Sequence, residues 1–164
     1  MSLGDFIPNN LKKNLLLPDG LKIGMVLRAF VNFTNPPKEK RFVIVGFKDD
    51  SISVASVLIN TNVNLNINYN QELQSQHLFF ENEDRTYLTH DSYIDCSCIH
   101  ELSLSEINEK VDVDPTIVIG SVEKDDLNII MNTLVDSDFI KGKHKKRYGF
   151  YEYNFDNEQD LAAE

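Results

Sequence analysis

Cysteine is scarce: Cys96 and Cys98 are the only two among 164 residues. Two residues apart, they cannot form an ordinary disulfide staple, so a disulfide framework is ruled out and a reducing, cytoplasmic setting is expected. Long apolar runs are missing too. None approaches the roughly 20 residues that span a bilayer, so no membrane-spanning helix is expected. The opening stretch of residues 1–20 holds the short run Leu15-Leu16-Leu17. It lacks a basic start, a long apolar centre and a small-residue cleavage site, and is read as an irregular lead-in rather than a signal peptide. Positive charge is the third shortage, with 16 Lys and Arg against 26 Asp and Glu and a net charge of −10. Such a chain binds nucleic acid only through a local basic patch. No internal repeat occurs.

Two basic clusters are present: Lys38, Lys40 and Arg41, and then Lys141, Lys143, Lys145, Lys146 and Arg147. Either can also be a solvated turn. Around them the chain reads as many short strands. Ile23–Val31 is apolar and β-branched, and Asn35-Pro36-Pro37 ends it. Arg41–Phe47 has a continuous apolar centre, which predicts a strand covered on both faces. Asp49-Asp50 turns the chain into a third strand, Ile52–Ile59. From Asn62 to Asn70, asparagine alternates with Val63, Leu65, Ile67 and Tyr69. That period of two predicts an edge strand with one apolar and one wet face. Leu73–Phe80 is ambiguous, Thr86–Leu88 reads as a short strand and Tyr93–Ile99 as a longer one. Ser103-Leu104-Ser105-Glu106 has a capping-box pattern and predicts a helix near 104–110. After the β-branched run Thr116–Ile119, Ser121 is expected to cap a second helix. Its apolar stripe is Leu127, Ile130, Met131 and Leu134, and Glu123, Asp125 and Asp126 complement its dipole. The fold class is therefore mainly β with some α: a small barrel or strongly bent sheet closed by a C-terminal helix. The chain divides into the lead-in 1–20, a folded domain 21–140, and a tail 141–164 that is basic, then aromatic and acidic.

Along the predicted strand, Cys96, Cys98 and His100 share a face and could be a row of metal ligands. Positions two apart stand about 6.6 Å from one another along a strand, whereas zinc needs ligand atoms converging at about 2.0–2.3 Å. A second cysteine pair is absent. The strand reading makes Ile94, Cys96 and Cys98 a small apolar face instead, and no metal or cofactor is expected.

With that strand assigned, "DSYIDCSCIHEL" (Asp91–Leu102) resembles the late strand of the PemK/MazF-like toxin family, where a Ser-hydrophobic-hydrophobic-Asp pattern leads to a short helix. "LKIGMVLRAFV" resembles that family's opening strand, "KEKRFVIVGF" its basic segment and second strand, "VLINTNVN" its threonine-bearing strand end, and "GSVEKDDLNIIMNTL" its closing helix. The resemblance covers about residues 21–137. Phe42 stands where the family usually has proline, and residues 60–85 are long for the connection. The resemblance implies an SH3-like barrel closed by a C-terminal helix, commonly a homodimer. It also implies metal-independent cleavage of single-stranded RNA, held in check by an antitoxin protein. Matched by motif, the catalytic positions fall on Arg41 and Thr61, and the RNA-binding ones on Lys38, Lys40, Asn60 and Asn62.

Three functions compete at this point. The first is an RNA-cleaving toxin. The second is a non-catalytic module on the same barrel, binding protein (as the related CcdB type does) or nucleic acid. The third is a metal or redox protein built on Cys96, Cys98 and His100.

Overall fold

A computed structural model describes residues 21–48 and 52–153. The lead-in 1–20, the turn at Asp49-Asp50 and the acidic end 154–164 lie outside the described residues. The ten-residue strand Lys38–Phe47 (β2) and the eight-residue strand Ser53–Asn60 (β3) form the middle of the sheet. Met25–Val31 (β1) and Val118–Ser121 (β7) extend it on one side. Ser92–Asp95 (β5) and His77–Phe80 (β4) extend it on the other, while His100–Ser103 (β6) pairs with β3 beyond β5. Every pairing is antiparallel. The path β4-β5-β3-β2-β1-β7 leaves β4 and β7 as edges. The sheet is thus open, which corrects the expected closed barrel; the mainly β class stands.

Both faces of the sheet are covered, because the centres of β2 and β3 are apolar on both sides, apart from Ser56, whose buried hydroxyl donates to the His100 carbonyl at 3.0 Å. Val43 and Val45 pack with Val26, Val57 and Ile59 against the helix Lys124–Asp136 (α3), through Leu127, Ile130, Met131 and Leu134. The alternate residues Phe42, Ile44, Val54 and Leu58 pack against Leu104, Ile107 and Val111 of Leu104–Val113 (α2). The Ser103 hydroxyl caps α2 by accepting from the Glu106 N–H, as the capping box requires. Ser121, expected to cap α3, lies in β7; Glu123 is the N-cap and makes no side-chain bond.

Three further expectations are corrected. Residues 62–70 form turns that lead into the short helix Gln71–Ser75 (α1), not an edge strand. The Asn64 carbonyl accepts from the N–H groups of Ile67 and Asn68, and the Asn64 side chain accepts from the Asn66 N–H. Asparagine satisfies nearby backbone in this way and so competes with a strand ladder. The face expected to be apolar and covered is open instead, with Leu65, Ile67 and Tyr69 at 63, 67 and 76% exposure. Thr86–Leu88 is a turn. Its Arg85 carbonyl accepts from the Leu88 N–H, and the Arg85 side chain clamps Asp126 of α3 at 2.8 and 3.0 Å. The long strand Tyr93–Ile99 is broken. Between Ile59 and Ser56, β3 advances three residues while the opposite strand goes from Ile94 to His100, so three residues bulge out. The bulge sends the two cysteines apart: Cys96 is buried and Cys98 exposed. They share no face and cannot converge on one ion with His100.

Residues 141–153, read from sequence as the start of a tail, pack onto the domain. Lys145, in the helix Gly142–Arg147 (α4), is buried and donates to the carbonyls of Val135 and Ser137, both at 2.7 Å. A buried ammonium thereby caps the C-terminal end of α3, where orphan carbonyls and the helix dipole favour a cation. Tyr148 and Phe150 enter the α3-side core. They cross Gly46, where a bulge in β2 shifts the register. A Cβ on Gly46 would stand 2.7 Å from the Tyr148 carbonyl oxygen and 2.9 Å from its Cβ.

Gly46→Ala is therefore expected to lower stability by about 1–3 kcal/mol through overpacking, read as a lower melting temperature in thermal unfolding; an unchanged melt would refute the tight crossing. The bulge makes a second prediction. In the native protein a thiol reagent labels one cysteine per chain, Cys98, and Cys96 reacts only on unfolding. Burial raises the Cys98 thiol above its ordinary pKa. Since the thiolate is the reactive form, labelling should accelerate at higher pH than for free cysteine; two thiols reacting equally fast in the native state would contradict the bulge.

Candidate functional site

The polar beginning of β2, the end of β3 and the segment before β5 meet at one end of the sheet. They line a depression of about 270 Å³ whose walls include Arg28, Lys38, Lys40, Arg41, Asn60, Thr61, His90 and Ser92. The sequence dictates this place. β2 changes from Lys38-Glu39-Lys40-Arg41 to Phe42-Val43-Ile44-Val45, so its apolar half anchors in the core and its charged half projects past it. β3 does the reverse, leaving the core at Asn60.

Arg28 and Arg41 stand directly opposite each other on β1 and β2. Like charges in that position destabilise a ladder. Glu39, 3.3 Å from Arg28, offsets one of the two. Arg41 pairs with no carboxylate among the described residues. Its Nη1 donates to the Thr89 hydroxyl at 3.0 Å, and its buried Nε has no hydrogen-bond partner there. This leaves a guanidinium against a like charge with one donor unused, an arrangement that an anion would satisfy.

His90 sits beside it, with Nε2 3.4 Å from the Thr61 hydroxyl. Its other nitrogen fixes the tautomer. Nδ1 faces the Asp91 carbonyl at 3.0 Å and the Ser92 hydroxyl oxygen at 3.2 Å. A carbonyl only accepts, and the Ser92 hydroxyl donates to the His90 carbonyl at 2.9 Å. Nδ1 therefore carries the proton in the neutral ring, and the Nε2 lone pair points toward Thr61 and the depression.

Lys40 and Asn60 lie on the opposite face of their strands from Arg41 and Ile59, and the Lys40 ammonium donates to the Asn60 side-chain oxygen. Burial lowers the Lys40 pKa, repulsion from Lys38 lowers it further, and Asp95 works against both. The result is an ammonium more ready than usual to release a proton.

Of the sequence-selected residues, Arg41, Thr61, Lys38, Lys40 and Asn60 all line this depression; Asn62 is exposed and does not. Sequence reasoning gave no role to His90, Ser92, Arg28 or Thr89. The signal for His90 was its place immediately before Asp91–Leu102, the motif that resembles the family's late strand. The second basic cluster does not form a comparable site: Lys145 is used by α3, and Arg147 reaches Glu101 at 3.5 Å. No cluster of three His, Cys, Asp or Glu side chains able to hold a metal ion occurs among the described residues. Nor is any helix among them long and apolar enough to cross a membrane.

No family model matches this chain, and no curated protein matches it.

Proposed function

We propose that the protein is a metal-independent endoribonuclease acting on single-stranded RNA, a cytoplasmic toxin of a toxin–antitoxin pair. The observation that carries this reading is the shared depression of Arg41, with its unused buried donor, and His90, with its Nε2 lone pair turned inward. The chemistry needs three groups. A base must take the ribose 2′-hydroxyl proton, and His90 Nε2 has the right tautomer. Positive charge must meet the phosphorane as the 2′-oxygen attacks phosphorus, and Arg41 offers its planar fork. The departing 5′-oxygen must gain a proton, which solvent water supplies at this open depression, because the Lys40 ammonium turns to the other face of the sheet. The products are a 2′,3′-cyclic phosphate and a free 5′-hydroxyl. Thr61 hydrogen-bonds a phosphate oxygen, while Lys38 and Asn60 hold the strand.

A homodimer and an antitoxin partner belong to the same reading through the family resemblance. The exposed Leu65, Ile67 and Tyr69 are apolar side chains that a partner would cover. The same three residues favour the second reading, a non-catalytic binding module on this sheet.

Cleavage of a short RNA in EDTA separates the two. Arg41→Ala is expected to lower the rate about 10²–10³-fold and His90→Ala about 10²–10⁴-fold. Thr61→Ala, which removes one neutral hydrogen bond, should cost roughly two- to tenfold. If wild type cuts no RNA above background, or if Arg41→Ala cuts as fast, the ribonuclease reading fails and the binding module replaces it.

A further inference from the structure

On the face of the sheet opposite Arg41 lies a row of side chains that the proposed chemistry only partly uses. Phe79 of β4 pairs with Tyr93 of β5, and Tyr93 pairs with Asn60 of β3. Arg41 pairs with Ile59, which sets Lys40 of β2 beside Asn60. Cross-strand partners share a face, and here the alternate residues Leu78, Phe80, Ile94, Ile59 and Val43 all turn to the α3-side core. Phe79, Tyr93, Asn60 and Lys40 thus form one line across four strands, about 14 Å long at the spacing of adjacent strands. Its aromatic end is open. Phe79 is 52% exposed and meets Tyr93 with ring centroids 5.4 Å apart and planes tilted by 58°. Its other end is an ammonium at the rim of the depression that holds Arg41.

We propose that this row is a binding track for single-stranded nucleic acid, in which unpaired bases stack on Phe79 and Tyr93 and the backbone passes Asn60 and Lys40 into the depression. It rests on the ribonuclease reading for the identity of the strand as RNA. Exposed aromatic rings next to a cation are the arrangement that sequence-tolerant single-strand binding uses, because every base has a π face. Two neighbouring acids do not oppose it strongly. Asp95, on the same face, accepts from the Ser97 N–H at 3.0 Å and lies 3.6 Å from the His77 ring; Glu39 is held by Arg28. The track also explains how a chain of net charge −10 holds RNA: stacking supplies what a broad basic surface otherwise would.

The test is fluorescence anisotropy of a labelled 2′-O-methyl oligoadenylate, which cannot be cleaved, beside an abasic oligomer of the same length. Phe79→Leu and Tyr93→Leu are each expected to weaken oligoadenylate binding roughly tenfold or more and to leave abasic binding unchanged. Lys40→Ala should weaken both and lower the salt slope by about one. Phe79 is exposed, so Phe79→Leu remains informative if Tyr93→Leu does not fold. The proposal is overturned if wild type does not bind, or if Phe79→Leu binds as well as wild type. It is equally overturned if Phe79→Leu dissociates a dimer while binding is unchanged, since the row is then an interface between copies. Failure of the ribonuclease reading looks different: binding through the row persists while the EDTA cleavage assay shows nothing.

Discussion

Everything in this molecule depends on the pairing of β2 with β3. These two strands are buried on both faces over most of their length. Such a pair has no solvated side on which to place a polar residue, so each face needs its own cover. α3, the aromatic residues Tyr148 and Phe150, and the 81–89 connection supply one cover; α2 supplies the other. Full burial of a valine, leucine or isoleucine side chain stabilises by about 1.5–3 kcal/mol. The dozen or so that β2 and β3 share with the two helices make the sheet a rigid base. Polar chemistry can then arise only where the pair runs out of core, and that is where the depression lies.

The charge arrangement follows from the same geometry. A strand that continues beyond its core exposes both of its faces at once. Lys38-Glu39-Lys40-Arg41 therefore sends alternate charges to opposite sides of the sheet: Arg41 toward Thr89 and His90, Lys40 toward Asn60 and Asp95. The acidic balance of the whole chain is offset locally, at one sheet end.

Much of the fold was legible in the sequence because it is written in apolar periodicity. The continuous run of β2 announced two covers, and the stripe Leu127, Ile130, Met131, Leu134 announced α3; all four of those residues are buried. Two of the errors have one common source. Strict alternation in Asn62–Asn70 and Tyr93–Ile99 looked like strand, but local hydrogen bonds and register decided otherwise. Asparagine closed turns on its own backbone, and β5–β6 had to spend extra residues to stay in step with β3. Lys145 looked like part of a charged surface, and only the end of α3 reveals its task. At the candidate site, Arg41 and Thr61 came from motif. His90 needed the third dimension, because nothing in the spacing of residues 61 and 90 says that they meet.

The interruption between β5 and β6 has a mechanical meaning. β6 is bound to β3 over four register positions, whereas β5 is bound over two, Ile59 and Asn60. In the ladder, β4 pairs only with β5. In its ladder the β4–β5 hairpin is thus a cantilever clamped at a short root, held otherwise by Leu78, Phe80 and Ile94 in the α3-side core, and opening it breaks less than global unfolding does. Phe79 and Tyr93 ride on this arm, while Asn60 and Lys40 stand on the fixed base. A ligand that spans both would act as a second clamp, and amide protons in His77–Phe80 would become slower to exchange when it is bound.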